Sequence, residues 1–216
     1  MDRNPVQLPL TSWSGVGEHG HGVQFYSKDS SLATLLTGYV GGALVSGHAA
    51  VVIATPAHLD GLASCLKSRG FDPEIATREG RYIPLNAQEV LAQLCTNGRI
   101  NRARFENVTL PILKRARAAT GDDRSHVAAF GEMVALLWMA GLTETALELE
   151  HLWNGLLQRY PFSLCCAYPM AMFDSLDAGP FLRVCAQHSH VFPAEHKPTV
   201  RYFAGRDDIA AAADRG

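Results

Sequence analysis

Ala49-Ala50-Val51-Val52-Ile53-Ala54-Thr55-Pro56 joins an unbroken apolar run to a threonine and a proline. A run with no polar alternation suits a strand buried on both faces. Proline is favoured at the first position of a helix, where its missing N–H has no intrahelical partner to lose. A doubly buried strand feeding straight into a helix is the unit of a parallel sheet covered by helices on both sides.

The same alternation extends in both directions. Upstream, Val23 to Tyr26 reads as a strand and Lys28-Asp29-Ser30-Ser31 offers capping oxygens. Leu32, Leu35, Leu36, Tyr39, Val40 and Leu44 then recur at helical spacing until Gly47. Downstream, the helix opened by Pro56 ends at Gly70, Tyr82 to Leu85 is a short strand, and Ala87 to Cys95 is a helix ending near Gly98. Ala103 to Ala118 is a longer helix in which Pro111 predicts a bend or break. His126 to Phe130 resumes strand character, followed by helices over Met133 to Met139 and Thr143 to Gln158, separated at Gly141. Phe162 to Ala167 is another buried strand and Phe181 to Gln187 a helix; His190 to Phe192 and Thr199 to Phe203 are expected to add edge strands. The fold class is therefore α/β, with a largely parallel central sheet flanked by helices. Residues 1–20 read as an irregular arm, 21–204 as one domain and 205–216 as a frayed tail.

Composition narrows the function. At 216 residues with 47% hydrophobic and 19% charged, the chain can build a substantial core. A net charge of -2 gives no general attraction to nucleic acid or to anionic lipid, so neither is an expected partner. No run reaches the roughly 18 to 20 apolar residues a spanning helix needs, and no secretion signal opens the chain. Five cysteines, three of them in amphipathic helical segments, favour reduced thiols and a cytoplasmic location.

In open α/β sheets, ligands gather beyond the carboxyl ends of the strands. That position selects Tyr26, Ser27 and Lys28 after the first strand, Thr55 after the second, Asn86 after the third, Glu132 after the fourth and Tyr168 after the fifth. Glu132 has two readings: a ligand contact, or an acid capping the helix that begins at Met133. A phosphate-binding loop needs glycines and a suitably spaced lysine, whereas Ser27-Lys28-Asp29-Ser30-Ser31 has no glycine. Catalysis is not expected, and no cofactor is assigned.

The remaining polar residues read mainly as structural. Trp138 and Trp153 suit core packing, and Glu150 and Asn154 share a helix face from which either could bond across a helix pair or to a loop. Cys165 and Cys166 point to opposite faces of a strand and read as buried thiols. His188 and His190 would lie on one side if extended, and two histidines with Cys165 or Cys166 could complete a zinc site. The spacing matches no metal motif, so no metal ligand is assigned. His19 and His21 read as a solvated pair or a strand-end hydrogen bond. Arg102, Arg104, Lys114, Arg115 and Arg117 read as a solvated helix face, with protein docking as the alternative.

Several segments carry a resemblance beyond these local rules: His21-Gly22-Val23-Gln24-Phe25-Tyr26, Val52-Ile53-Ala54-Thr55-Pro56-Ala57-His58, Gly80-Arg81-Tyr82-Ile83-Pro84-Leu85-Asn86-Ala87, Phe130-Gly131-Glu132-Met133-Val134-Ala135-Leu136-Leu137-Trp138, Leu149-Glu150-His151-Leu152-Trp153-Asn154 and Ser163-Leu164-Cys165-Cys166-Ala167-Tyr168-Pro169. In this order they resemble the MEDS family, the methanogen and methylotroph sensory domain. The resemblance covers His21 to Pro193 and departs at Asn86, where the family pattern has Asp. It implies a RecA-like, KaiC-related three-layer sandwich that binds a small molecule, such as a hydrocarbon derivative, without catalysis. It also implies an attached or separate regulatory module, such as a histidine kinase or transcription regulator; the expectation here is a partner acting in trans, or a chain that is an isolated sensory piece, and a homo-oligomer is compatible with it. Against it stand a divergent nucleotide-binding ATPase-like protein and a scaffold that works without ligand.

Overall fold

The apolar run Ala49–Ala54 is a strand with every residue buried, and it lies inside the sheet. The computed structural model of the chain describes residues 16–17, 19–122, 125–173 and 177–194. In chain order the strands are β1 His21–Tyr26, β2 Ala49–Ala54, β3 Tyr82–Asn86, β4 Cys95–Thr96, β5 Arg99–Ile100, β6 Val127–Gly131, β7 Ser163–Pro169 and β8 His190–Phe192. The helices are α1 Asp29–Val45, α2 Pro56–Ser68, α3 Pro73–Arg78, α4 Ala87–Leu94, α5 Arg102–Ala118, α6 Met133–Met139, α7 Thr143–Leu157 and α8 Gly179–Cys185. Six strands form one sheet in the order β3-β2-β6-β7-β1-β8, and every pairing in it is parallel.

Alternation along the strands sorts the core into two layers. Val51, Ile53, Val127, Ala129, Leu164 and Val23 face one side, where α4 to α8 supply Val90, Phe105, Val134, Leu149 and Val184. Ala50, Val52, Ala128, Phe130, Cys165 and Ala167 face the other, covered by Leu32, Leu36, Val40 and Leu44 of α1 and Leu62 and Leu66 of α2. The result is a helix–sheet–helix sandwich. Trp153 stands edge-on to Phe105, and Trp138 packs against Phe173, so both indoles belong to the core.

Several local expectations need correction. The helix around Pro111 does not break: α5 is one α-helix from Arg102 to Ala118. Phe105, Thr109, Leu113 and Ala116 bury its inner face on both sides of the proline. The carbonyl that Pro111 cannot bond belongs to exposed Asn107, where water can take over. A two-strand hairpin, β4–β5, follows α4, turned by Asn97 and Gly98 at positive φ of 52° and 73°. Asn-Gly is the tight-turn signal that permits this, and the strands are too short to show periodicity. The short helix α3 was also outside the sequence pattern; Asp72 starts it by accepting from the Glu74 N–H, with Pro73 at its first position. The expected strand Thr199 to Phe203, the tail 205–216 and most of the arm 1–20 lie outside the described residues.

Candidate ligand site at the strand exits

Glu132 follows β6 with backbone angles of φ -110° and ψ -2°, and its N–H bonds the Ile53 carbonyl at the end of β2. This holds the side chain beside the neighbouring strand exit. Its carboxylate makes no capping bond to α6; Oε2 instead accepts the Thr55 N–H at 2.7 Å, and Oε1 takes a short contact with His58 Nδ1. Capping of its own helix is thus corrected: the acid serves the start of α2, where the helix dipole favours an anion. Pro56 contributes no N–H there, which leaves Thr55 and His58 as the donors.

His58 reaches this position because it stands one turn into α2, and its Nε2 lies 3.6 Å from Asp29 Oδ1 in the first turn of α1. The hydrogen bond to Glu132 raises the His58 pKa above the ordinary imidazole value; burial opposes the rise, and the charges of Glu132 and Asp29 add to it. Tyr26 packs edge-on to the His58 ring at 6.1 Å, and burial followed by the Glu132 and Asp29 charges pushes its phenol up. One buried carboxylate therefore ties β6 to the β2–α2 junction and, through His58, to α1.

Of the residues selected by strand position, Tyr26, Thr55 and Glu132 meet at this junction. Ser27 and Lys28 are exposed in the β1–α1 connection. Asn86 caps α4, accepting the Gln88 N–H at 2.9 Å and donating to Glu89 at 3.3 Å. Tyr168 does not join them. Its side chain turns into the α6–α7 layer, edge-on to Trp138, and its hydroxyl donates to Glu150 Oε1 at 2.9 Å. His58 and Asp29 were missed, although the interval from Thr55 to His58 already places the histidine on the first turn of a helix.

A second polar group lies within the α7 layer, where Glu150, His21, His188 and Cys166 are all buried. Glu150 and Asn154 do share a face, and Asn154 bridges His21 to the Gln187 carbonyl. His21 is no solvated residue: burial and the adjacent His188 ring, centroids 4.1 Å apart, hold its pKa below the ordinary value against Glu150 and Asn154. His188 and His190 separate, the first buried before β8 and the second partly exposed on it. The two sulfurs face opposite layers, as alternation requires; burial, then Glu150, raises the Cys166 thiol pKa, so it is not a reactive thiolate.

The chain matches the profile of MEDS, described as the MEthanogen/methylotroph, DcmR Sensory domain, over residues 20–188. It belongs to the MEDS family. No curated protein matches this MEDS chain by sequence. Its fold is similar to that of solved archaeal proteins. An uncharacterized protein PH0321 from Pyrococcus horikoshii, in complex with an unknown peptide, superposes with a TM-score of 0.60 at 13% identity, covering 84% of this chain and 80% of that one. KaiC-like protein PH0186 from Pyrococcus horikoshii OT3 gives 0.55 at 12% identity, covering 93% and 85%. Flagellar accessory protein FlaH from Methanocaldococcus jannaschii gives 0.52 at 8% identity, covering 83% and 72%. The MEDS domain thus has the RecA-like fold that the resemblance implied, similar to that of a KaiC-like protein.

Proposed function

We propose that this MEDS domain is a non-catalytic, cytoplasmic sensory module that binds a small molecule at the Glu132–His58 junction and passes its occupancy to a regulatory protein. The observation that carries this is the buried Glu132 carboxylate, shared between the Thr55 amide and an imidazole from α2. A ligand with a polar group that competes for either donor changes how α1 and α2 sit on the strand ends. Signalling then follows from a difference in its affinity for the two arrangements, since equal affinity would transmit nothing.

Two features weigh against nucleotide turnover as the role of this site. The β1–α1 connection is only Ser27 and Lys28, and Asp29 places a carboxylate where a phosphate would meet the helix. An apolar void bounded by Val51, Ile53, Leu113, Phe130 and Trp153 measures about 10 Å³, scarcely one water, so it offers no preformed alternative for a hydrocarbon. The ligand class proposed is a small hydrocarbon derivative with a polar or polarised group: a short alcohol, an aldehyde or a halogenated hydrocarbon.

Thermal stabilisation of the full chain against these compounds and against nucleotides tests the reading. A rise with one hydrocarbon class, lost in Glu132→Gln, supports it. Stabilisation by nucleotides alone, or a ligand shift retained in full by the variant, overturns it.

A further inference from the structure

The hydrogen bonds around the buried group in the α7 layer fix the tautomers of both histidines. His188 Nδ1 lies 2.7 Å from the Val184 carbonyl, which can only accept, so Nδ1 carries the proton. The Asn154 amide nitrogen donates to the Gln187 carbonyl, leaving Asn154 Oδ1 to accept from His21 Nδ1 at 2.9 Å. In the neutral rings both Nε2 atoms are therefore bare lone pairs. They face further acceptors: His21 Nε2 stands 3.4 Å from Glu150 Oε2, and His188 Nε2 stands 3.4 Å from Glu150 Oε1. Among the described residues His188 Nε2 has no hydrogen-bond partner at all. The thiol of Cys166 completes the group, 3.5 Å from His21 Nε2 and 3.4 Å from Glu150 Oε2.

Lone pairs converging on a carboxylate in a dry layer need positive charge between them. With the Cys166 thiol donating to Glu150 Oε2, a single proton would satisfy one imidazole and leave the other ring facing the carboxylate as a bare lone pair. A divalent cation uses all four donors. We propose that His21 Nε2, His188 Nε2, Cys166 Sγ and Glu150 form a tetrahedral site for a divalent transition metal, with zinc the ion best suited to the donors.

Dimensions and charge agree with this assignment. Bonds of about 2.0 Å to nitrogen and oxygen and about 2.3 Å to sulfur give tetrahedral edges of roughly 3.3 to 3.6 Å. Four contacts of 3.4 to 3.5 Å fit that range, two of them to different Glu150 oxygens; the remaining separations, within 4.8 Å, exceed such an edge and would have to close as the ion binds. Glutamate and thiolate together cancel the charge of a divalent ion, and the thiol proton leaves to solvent when the metal binds. Each histidine already bonds through its other nitrogen to a fixed acceptor, and Tyr168 donates to Glu150, which is the outer support that metal ligands require. Four protein donors fill a tetrahedron, so this is a structural site that pins β1, β7, α7 and the α8–β8 turn together. It is independent of the ligand reading at the strand exits.

The test uses the full chain with zinc and cobalt(II) as probes. Expected are one zinc per chain and a Tm about 5–10 °C higher when free zinc exceeds its dissociation constant about a hundredfold. Cobalt should give tetrahedral visible bands with a thiolate charge-transfer band that disappears in Cys166→Ser and persists in Cys65→Ser. Asn154→Ala, which frees the His21 ring without removing a ligand, should weaken cobalt binding about 10- to 100-fold. A folded wild-type chain that binds neither ion, or that binds cobalt without the thiolate band, overturns the proposal. So does a Cys166→Ser spectrum identical to wild type; if that variant does not fold, the wild-type spectrum and zinc content decide.

Discussion

Replacing Glu132 by Gln probes the junction most directly, because the perturbation is nearly isosteric and its cost should depend on pH. In the folded chain the Glu132 and His58 side chains are only 4% and 13% exposed, so solvent screens their pairing weakly. Losing one partner of a buried pair costs about 3–5 kcal/mol when the other charge is stranded. Here His58 can lose its proton, and the Gln carbonyl can still accept the Thr55 N–H, so about 2 kcal/mol is expected at pH 6. For a chain of this length that lowers Tm by roughly 4–8 °C. The sign of the pH dependence follows from His58. Its folded-state pKa lies above the ordinary 6.5, so the stabilisation is complete below about pH 6.5 and falls away as pH rises through the folded value. Above that folded value only the neutral hydrogen bond remains, so the variant should cost less at pH 9 than at pH 6. Urea unfolding of wild type and variant at both pH values measures the difference while cancelling titrations elsewhere. An equal loss at pH 6 and pH 9, or a larger one at pH 9, refutes the ion-pair reasoning.

Asn86→Ala removes the oxygen that accepts the Gln88 N–H at the start of α4, and should lower unfolding free energy by about 1 kcal/mol, with Asn86→Asp near wild type; a full-sized loss in the Asp variant would contradict the cap. In native alkylation, Cys165 and Cys166 should stay unmodified while unfolded protein exposes all five thiols, because both sulfurs are buried and burial pushes their pKa values up. Peptide mapping that finds either residue labelled before global unfolding would count against this.

The architecture was legible because its signals are local. Ala49 to Ala54 could hardly be anything but a doubly buried strand, Pro56 marks a helix start, and Gly47 and Gly141 stop helices at positive φ of 82° and 75°. Failures came where local rules met long-range support. Pro111 predicts interruption from backbone chemistry alone, yet packing on either side carries α5 through it. Glu132 left two readings open, a ligand contact or a cap of its own helix; the bond between its N–H and Ile53 places it beside β2, and its carboxylate serves Thr55 and His58 rather than α6.

By itself the sequence determined the alternation of buried strands with amphipathic helices, the positions of the strand exits and the membership of a sensory family, since each is written in spacing along the chain. Only the tertiary structure decided which polar residues meet. Placing β1 between β7 and β8 brings His21 to Cys166 and His188, and packing α7 on that face delivers Glu150 and Asn154. Sequence intervals of 145 residues for His21 and Cys166 and 133 for His21 and Asn154 carry no local periodicity. Their convergence is set by the order in which crossovers lay the strands side by side, and that order is a property of the whole sheet.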